Sequence, residues 1–213
     1  KFELYLGDCI QVMSNMPESS VDMIFADPPY FLSSGGITCK SGKMVSVNKA
    51  DWDKEIPIGD IHNFNTKWLS ECKRVLAPSG TIWVSGTYHN IYSIGFALQS
   101  LGYKILNNVT WYKSNAAPNL SCRYFTHSTE TILWAAKNRE SKHYFNYDLM
   151  RKMNNNKQML SFRSIKAPGF PEKVYGKHPT QKPIELLNRI VLASTKPGDI
   201  VLDPFTGSST TGV

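Results

Sequence analysis

The 213-residue chain is 41% hydrophobic and 12% aromatic, which supports one sizeable core and excludes a disordered or low-complexity protein. No run of about 18 apolar residues is present, so no membrane-spanning helix is expected, and no leader peptide is visible. The net charge is +7, and Cys9, Cys39, Cys72 and Cys122 are scattered without a C-x-x-C pair; this argues against a zinc site and for reduced thiols in a cytoplasmic setting.

The chain opens with alternating apolar residues over 2–10 and turns at Gly7-Asp8. A short helix is expected from Cys9 to Met16, stopped at Pro17. The apolar run 21–26 reads as a buried strand of a parallel sheet. Residues 31–57 form a long polar stretch, of the kind that is functional or mobile when set inside a compact domain. Asp60 can cap a helix reaching Leu76, and Pro78-Ser79-Gly80 is expected to end it. A strand at 81–84, a helix at 91–101 closed by Gly102, and strands at 109–112 and 129–135 follow. Pro183 suits the first turn of a further helix. Residues 199–202 form a last strand before a small-residue turn. The alternation predicts a doubly wound, mostly parallel α/β sheet in one domain, residues 1–213.

Charge is concentrated. Residues 137–177 carry ten Lys/Arg against three Asp/Glu, whereas the remainder has fourteen of each. This segment loses the alternating pattern and reads as an inserted face for a polyanion, most simply DNA. Arg139, Lys142, Arg151, Lys152, Lys157 and Arg163 are the candidate contacts. Arg suits guanine, and Asn154 or Gln158 suits adenine. If about six of the cations touch phosphates, affinity should fall roughly 10³-fold between 50 and 200 mM salt. A solvated charged loop is the plainer alternative.

Two motifs carry chemistry. Asp27-Pro28-Pro29-Tyr30 follows the strand at 21–26, and neither proline has an N–H with which to continue it. A carboxylate, two rigid carbonyls and a ring are thus presented where ligands sit in open α/β sheets. The second motif, Asp203-Pro204-Phe205-Thr206-Gly207-Ser208-Ser209-Thr210, is a strand–turn–helix start that lets a cofactor approach the backbone. It has no Lys after the glycines, so it is not a triphosphate loop.

Together these motifs resemble the S-adenosylmethionine-dependent DNA adenine-N6 methyltransferases. Their order, catalytic motif, recognition segment and then cofactor loop, is that of the beta group. The resemblance covers essentially the whole chain. It is strongest to the DpnA-like, GATC-modifying enzymes, through residues 24–33, 119–135 and 177–183; the HinfI-like enzymes are near relatives. The resemblance implies a catalytic half at 27–136, target recognition at 137–177 and a cofactor part at 178–213, with further chain expected beyond Val213.

It also implies roles. Asp27 and the Pro28 carbonyl accept hydrogen bonds from the adenine amino group, with Pro29 and Tyr30 completing the catalytic motif. Flipping the base costs a few kcal/mol, of which stacking on Tyr30 returns roughly 1–3 kcal/mol. Trp111 or Tyr112 forms the opposite wall, or is simply a strand core residue. The implied cofactor contacts are Asp8, Asp27, His178, Lys182, Asp203, Phe205, Gly207, Ser209 and Thr210. Asp8 can equally serve its turn, and Lys182 can equally be a solvated helix lysine. No metal is implied. The partners implied are DNA and a cognate restriction endonuclease, and a homodimer is compatible. One departure stands out: Ser209 occupies the position of the family's second glycine, a costly replacement if that position needs positive φ. Cytosine-N4 methylation is the first alternative, disfavoured because those enzymes more often carry Ser at position 27. A catalytically inactive DNA-binding module is the second.

Overall fold

The computed structural model describes residues 2–31, 37–40, 43–46, 56–169, 181–207 and 209–212. Its frame is a six-stranded sheet in the order β7-β5-β6-β4-β1-β8, with α1 (Cys9–Ser14), β1 (Val21–Ala26), a small hairpin of β2 (Ile37–Lys40) and β3 (Lys43–Ser46), α2 (Ile58–Val75), β4 (Leu76–Gly86), α3 (Ile91–Ser100), β5 (Lys104–Tyr112), β6 (Thr129–Ala136), α4 (Tyr147–Met153), β7 (Phe162–Ser164), α5 (Ile184–Ser194) and β8 (Val201–Leu202) in chain order. β1 pairs in parallel with β4 and β8, and β5 with β7, whereas β6 runs antiparallel to both β4 and β5. The sheet is therefore mixed.

Both faces are covered, as the strand pattern requires. Ile24, Ala26, Ile82 and Val84 face α1, α2 and α3 through Met13, Trp68, Leu69, Cys72, Ile94 and Leu98. Met23, Phe25, Trp83 and Trp134 face α5 through Leu186, Leu187 and Ile190. The period-2 alternation of each central strand thus feeds two separate cores. Trp83 and Trp134 stack with centroids 4.6 Å apart across the β4–β6 pair.

The structure corrects several boundaries. Pro78-Ser79-Gly80 does not interrupt the chain; it lies inside β4 as an irregularity, because Val21 pairs with Leu76 but Met23 pairs with Thr81. Gly80 is required there: a Cβ would stand 2.9 Å from the Asp22 carbonyl oxygen. Asp60 lies in the first turn of α2 and does not cap it, since the cap position is Pro57. The segment at 137–177 is also not a simple insertion. It supplies α4 and then β7, which pairs with β5 and completes the main sheet. Most of the polar stretch at 31–57 lies outside the described residues apart from the β2–β3 hairpin.

Candidate active site

β1 is apolar throughout its buried length and delivers Asp27 at the carboxyl edge of the sheet. There Asp27 enters a network of buried charge. Its Oδ1 accepts from the Tyr30 hydroxyl at 2.7 Å, and its Oδ2 accepts from Lys182 Nζ at 2.5 Å. Lys182 also lies 3.6 Å from Glu130 Oε2, and the opposite oxygen of Glu130 takes Lys113 Nζ at 2.5 Å. The Tyr30 hydroxyl reaches Glu130 Oε2 at 3.2 Å and Ser85 Oγ at 3.3 Å. Two carboxylates and two ammoniums thus balance in a site from which water is largely withdrawn, as buried charges require.

The electrostatics separate the two acids. Burial raises the proton affinity of Asp27, and the Lys182 ammonium only partly offsets it. Burial acts on Glu130 in the same sense, but Lys182 and Lys113 together pull it below the ordinary carboxylate range. Lys182 is held charged: burial opposes its charge, and Asp27 and Glu130 more than compensate. Asp203, at the end of β8 and parallel to Asp27, is pushed by burial to about 6. It accepts from Phe205 N at 2.9 Å and Thr211 Oγ1 at 2.6 Å, which fixes the turn after β8.

These groups surround a cavity of about 500 Å³. Of the predicted cofactor residues, Asp8, Asp27, Lys182, Asp203, Phe205, Gly207 and Thr210 line it, together with the unforeseen Gly7, Phe25, Phe64 and Gln181. Asp8 lines the cavity and also caps α1, accepting from Ile10 N and Gln11 N. Lys182 is only 4% exposed and is no solvated lysine. Ser209 has φ 55°, within the left-handed region that favours glycine. His178 lies outside the described residues.

Other predicted residues fall elsewhere. Trp111 is 2% exposed, belongs to the core on the α5 side and donates its indole N–H to the Ile165 carbonyl. It does not line the cavity, so the base-wall assignment gives way to the strand-core one. Arg139 and Lys142 follow β6, which runs away from Asp27; the neighbouring Lys137 donates to the Leu76 carbonyl at the start of β4. The two cations therefore stand at the opposite edge of the sheet. Arg151 donates to the Asn156 carbonyl and lies over the Tyr147 ring, with Lys152 and Lys157 exposed nearby. Arg163 is half-buried, 3.9 Å from Glu185.

Sequence reading missed the partners Ser85, Asn90, Lys113 and Glu130. It also missed an exposed aromatic group beside them. Tyr124 and Tyr88 flank His127 at 5.2 and 5.0 Å, and His89 lies 3.8 Å from Tyr88. Both strand ends carrying these residues, after Gly86 and before Thr129, lie at the carboxyl edge.

A family model described as DNA methylase matches residues 21–213. The chain belongs to the DNA methylase family. It is 58% identical to the type II methyltransferase M2.DpnII of Streptococcus pneumoniae over 100% of its own length and 80% of that protein's. It is 52% identical to M2.MboI of Moraxella bovis, over 100% and 78% of the two lengths. Among solved structures, a complex of M1.HpyAVI with SAM superposes with TM-score 0.66 at 27% identity, covering 98% of this chain and 83% of that one. The cytosine-N4-specific PvuII DNA methyltransferase superposes with TM-score 0.71 at 18% identity, over 98% of this chain and 75% of that one, and shows the shared fold alone.

The cofactor of this DNA methylase is S-adenosylmethionine, and the cavity suits it. Asp8, Asp27 and Asp203 line it as acids for a ligand with cationic groups. Phe205, edge-on to Trp68 at 5.3 Å and tilted to Phe64 at 6.3 Å, provides an apolar wall for a purine. Among the described residues no cluster of His, Cys, Asp and Glu has the spacing of a metal site, and no helix is long and apolar enough to cross a membrane.

Proposed function

We propose that the protein methylates the N6 amino group of adenine in a short DNA target such as GATC, as the modification partner of a restriction system. The observation that carries this reading is the Asp27 carboxylate, set at the carboxyl end of β1 on the rim of a cavity suited to S-adenosylmethionine. When bound, the cofactor supplies an electrophilic methyl group on its sulfonium.

The chain's own task is to prepare the amine. Its lone pair is conjugated into the purine ring and must be localised on nitrogen. Asp27 and the Pro28 carbonyl do this by accepting the two amino hydrogens, so that the lone pair points at the methyl. Asp27 Oδ1 is engaged by Tyr30 and Oδ2 by Lys182, so an arriving amino group shares or displaces one of these donors. The Lys182 ammonium favours the ionised, accepting form of Asp27 and partly offsets its burial. The raised proton affinity of Asp27 then suits it to take the proton that the methylated nitrogen sheds.

DNA reaches Asp27 over the carboxyl edge, where Arg123 and the Tyr124–His127–Tyr88 group are exposed. Arg151, Lys152 and Lys157 remain candidates for phosphate contacts outside that edge. A homodimer, a cognate endonuclease sharing the target site and a cytoplasmic location complete the reading.

The test is nucleoside analysis of DNA incubated with the full-length protein and S-adenosylmethionine. N6-methyladenine is expected, and oligonucleotides carrying GATC or GANTC identify the target. N4-methylcytosine would keep the mechanism and overturn the base. DNA bound without any methylated nucleoside would leave an inactive binding module.

A further inference from the structure

The Asp27-Pro28-Pro29-Tyr30 loop poses a mechanical problem. Its two prolines have no N–H, so the backbone between Asp27 and Tyr30 is anchored only through carbonyl oxygens and the flanking side chains. One of those carbonyls is held. Asn90 Nδ2 donates to the Pro29 oxygen at 2.9 Å. Among the described residues none donates to the Pro28 carbonyl.

Asn90 is itself held by a buried chain. Asn65 Nδ2 donates to Asn90 Oδ1 at 2.5 Å and to Ser93 Oγ at 3.0 Å, while Asn65 Oδ1 accepts from Trp68 Nε1 at 3.1 Å. Asn65 and Asn90 are 0% and 1% exposed. With its oxygen committed to Asn65, the Asn90 amide can only turn its nitrogen toward Pro29, so its orientation is fixed by the network.

The position makes this use of Asn90 informative. Asn90 immediately precedes α3, where asparagine ordinarily caps its own helix. Here its side chain makes no capping bond to α3. A favourable local interaction has been given up for one to the catalytic motif, the kind of departure expected at a functional site.

We infer that Asn90 is a positioning residue for methyl transfer. It fixes the Pro29–Tyr30 peptide plane, leaving the Pro28 carbonyl available to the amino group and setting the position of the buried Tyr30 ring. Asn65 orients Asn90 in turn. This inference rests on the DNA methylase reading of the Asp27 loop, but Asn90 does not line the cofactor cavity.

The test compares Asn90→Asp, Asn90→Ala and Asn65→Ala with the parent full-length protein on one methylatable DNA. The parent must methylate first; if it does not, the functional reading fails and not this one. Asn90→Asp keeps the shape and the acceptor for Asn65 but, when ionised, has no donor for Pro29. Expected for Asn90→Asp and Asn90→Ala is a fall in kcat of about 10²-fold, the scale of a misplaced reacting group. S-adenosylmethionine affinity and KM for DNA should stay near parental. Asn90→Asp should recover kcat as pH falls, because a protonated carboxyl donates again, whereas Asn90→Ala should not. Asn65→Ala should lose about tenfold, and the double variant should be no worse than Asn90→Ala alone. If Asn90→Ala fails to fold, the pH profile of Asn90→Asp and the Asn65→Ala loss decide. Parental kcat in a folded Asn90→Asp at neutral pH, or equal losses in kcat and cofactor affinity, would overturn the assignment.

Discussion

The two edges of the central sheet treat charge in opposite ways. At the carboxyl edge, Asp27, Glu130, Lys182 and Lys113 are buried or half-buried and bonded to one another. At the amino edge the cations that follow β6 lie open: Arg139 and Lys142 are exposed, and Lys137 turns inward, onto the Leu76 carbonyl. The basic residues that directly follow β6 are therefore not where the chemistry is, because antiparallel β6 carries the chain from one edge to the other, and only β7, parallel to β5, brings it back. Charge that acts on a reacting group is scarce, paired and desolvated; charge that is plentiful is solvated and worth little per residue.

The strongest way to break this comparison is to remove the carboxylate at the active edge. Asp27→Ala deletes an acceptor for the amino group and leaves Lys182 short of its nearest partner. Methyl transfer should fall by at least about 10²- to 10³-fold, the scale on which one preorganised electrostatic contact acts. A quantitative methylation assay checks it. Activity within tenfold of the parent would remove Asp27 from the reaction.

Asp203 offers a gentler probe of the same edge. Burial places it at about 6, above its ordinary value near 3.8. A raised carboxylate binds its proton more tightly in the folded state, so its contribution to stability falls as pH rises from about 4 to about 6. Binding of a cationic cofactor has the opposite sense, because it favours ionised Asp203. Cofactor affinity should therefore rise as pH climbs through 6, by roughly tenfold between pH 5 and 7. Calorimetric titration at these pH values measures it. Asp203→Asn should flatten the dependence; an unchanged slope in that variant would assign the titration to another group.

The DNA side of the comparison is read by paired substitutions. Arg123→Ala at the carboxyl edge should weaken DNA binding several-fold and reduce the salt slope by about one. Arg139→Ala with Lys142→Ala should change both by less. Affinities measured at two or more salt concentrations decide between the edges. The reverse ranking would restore the DNA face to the segment that follows β6.

What the sequence made legible follows from how far each signal reaches along the chain. β1 and its Asp27-Pro28-Pro29-Tyr30 exit could be read because an apolar run and two missing N–H groups are local facts. The turn after β8 could be read for the same reason. Glu130 could not: it opens β6 as one polar residue among several, and only the β4–β6 pairing brings it beside Ser85 and Tyr30. Lys182 reached the pocket only through the family resemblance, with a solvated lysine as the equal alternative, because its partners are 155 and 52 residues away in sequence. Pro78-Ser79-Gly80 looked like a break, yet β4 absorbs it as an irregularity against Asp22, which no propensity reports. β7 is three residues long, too short for any period, and gains its place only by pairing with β5.

Ser209 tests the smallest difference, one Cβ in the turn at the active edge. Its φ of 55° is a conformation that glycine adopts freely and serine does not. The turn nevertheless closes: Ser209 N donates to the Thr206 carbonyl at 2.7 Å, and the Ser209 carbonyl accepts from Gly212 N at 3.0 Å. Strain of this kind costs about 1–2 kcal/mol, and glycine recovers it while adding freedom to the unfolded chain, which takes back up to about 1 kcal/mol. Ser209→Gly should therefore raise Tm by about 2 °C, given roughly 2–4 °C per kcal/mol in a domain of this size. Because the strained residue sits in the turn that holds Gly207 and Thr210 on the cavity wall, S-adenosylmethionine should bind slightly tighter as well. Thermal melts with and without cofactor separate the two effects. A drop in Tm would mean that the serine side chain contributes more to this turn than its backbone conformation costs.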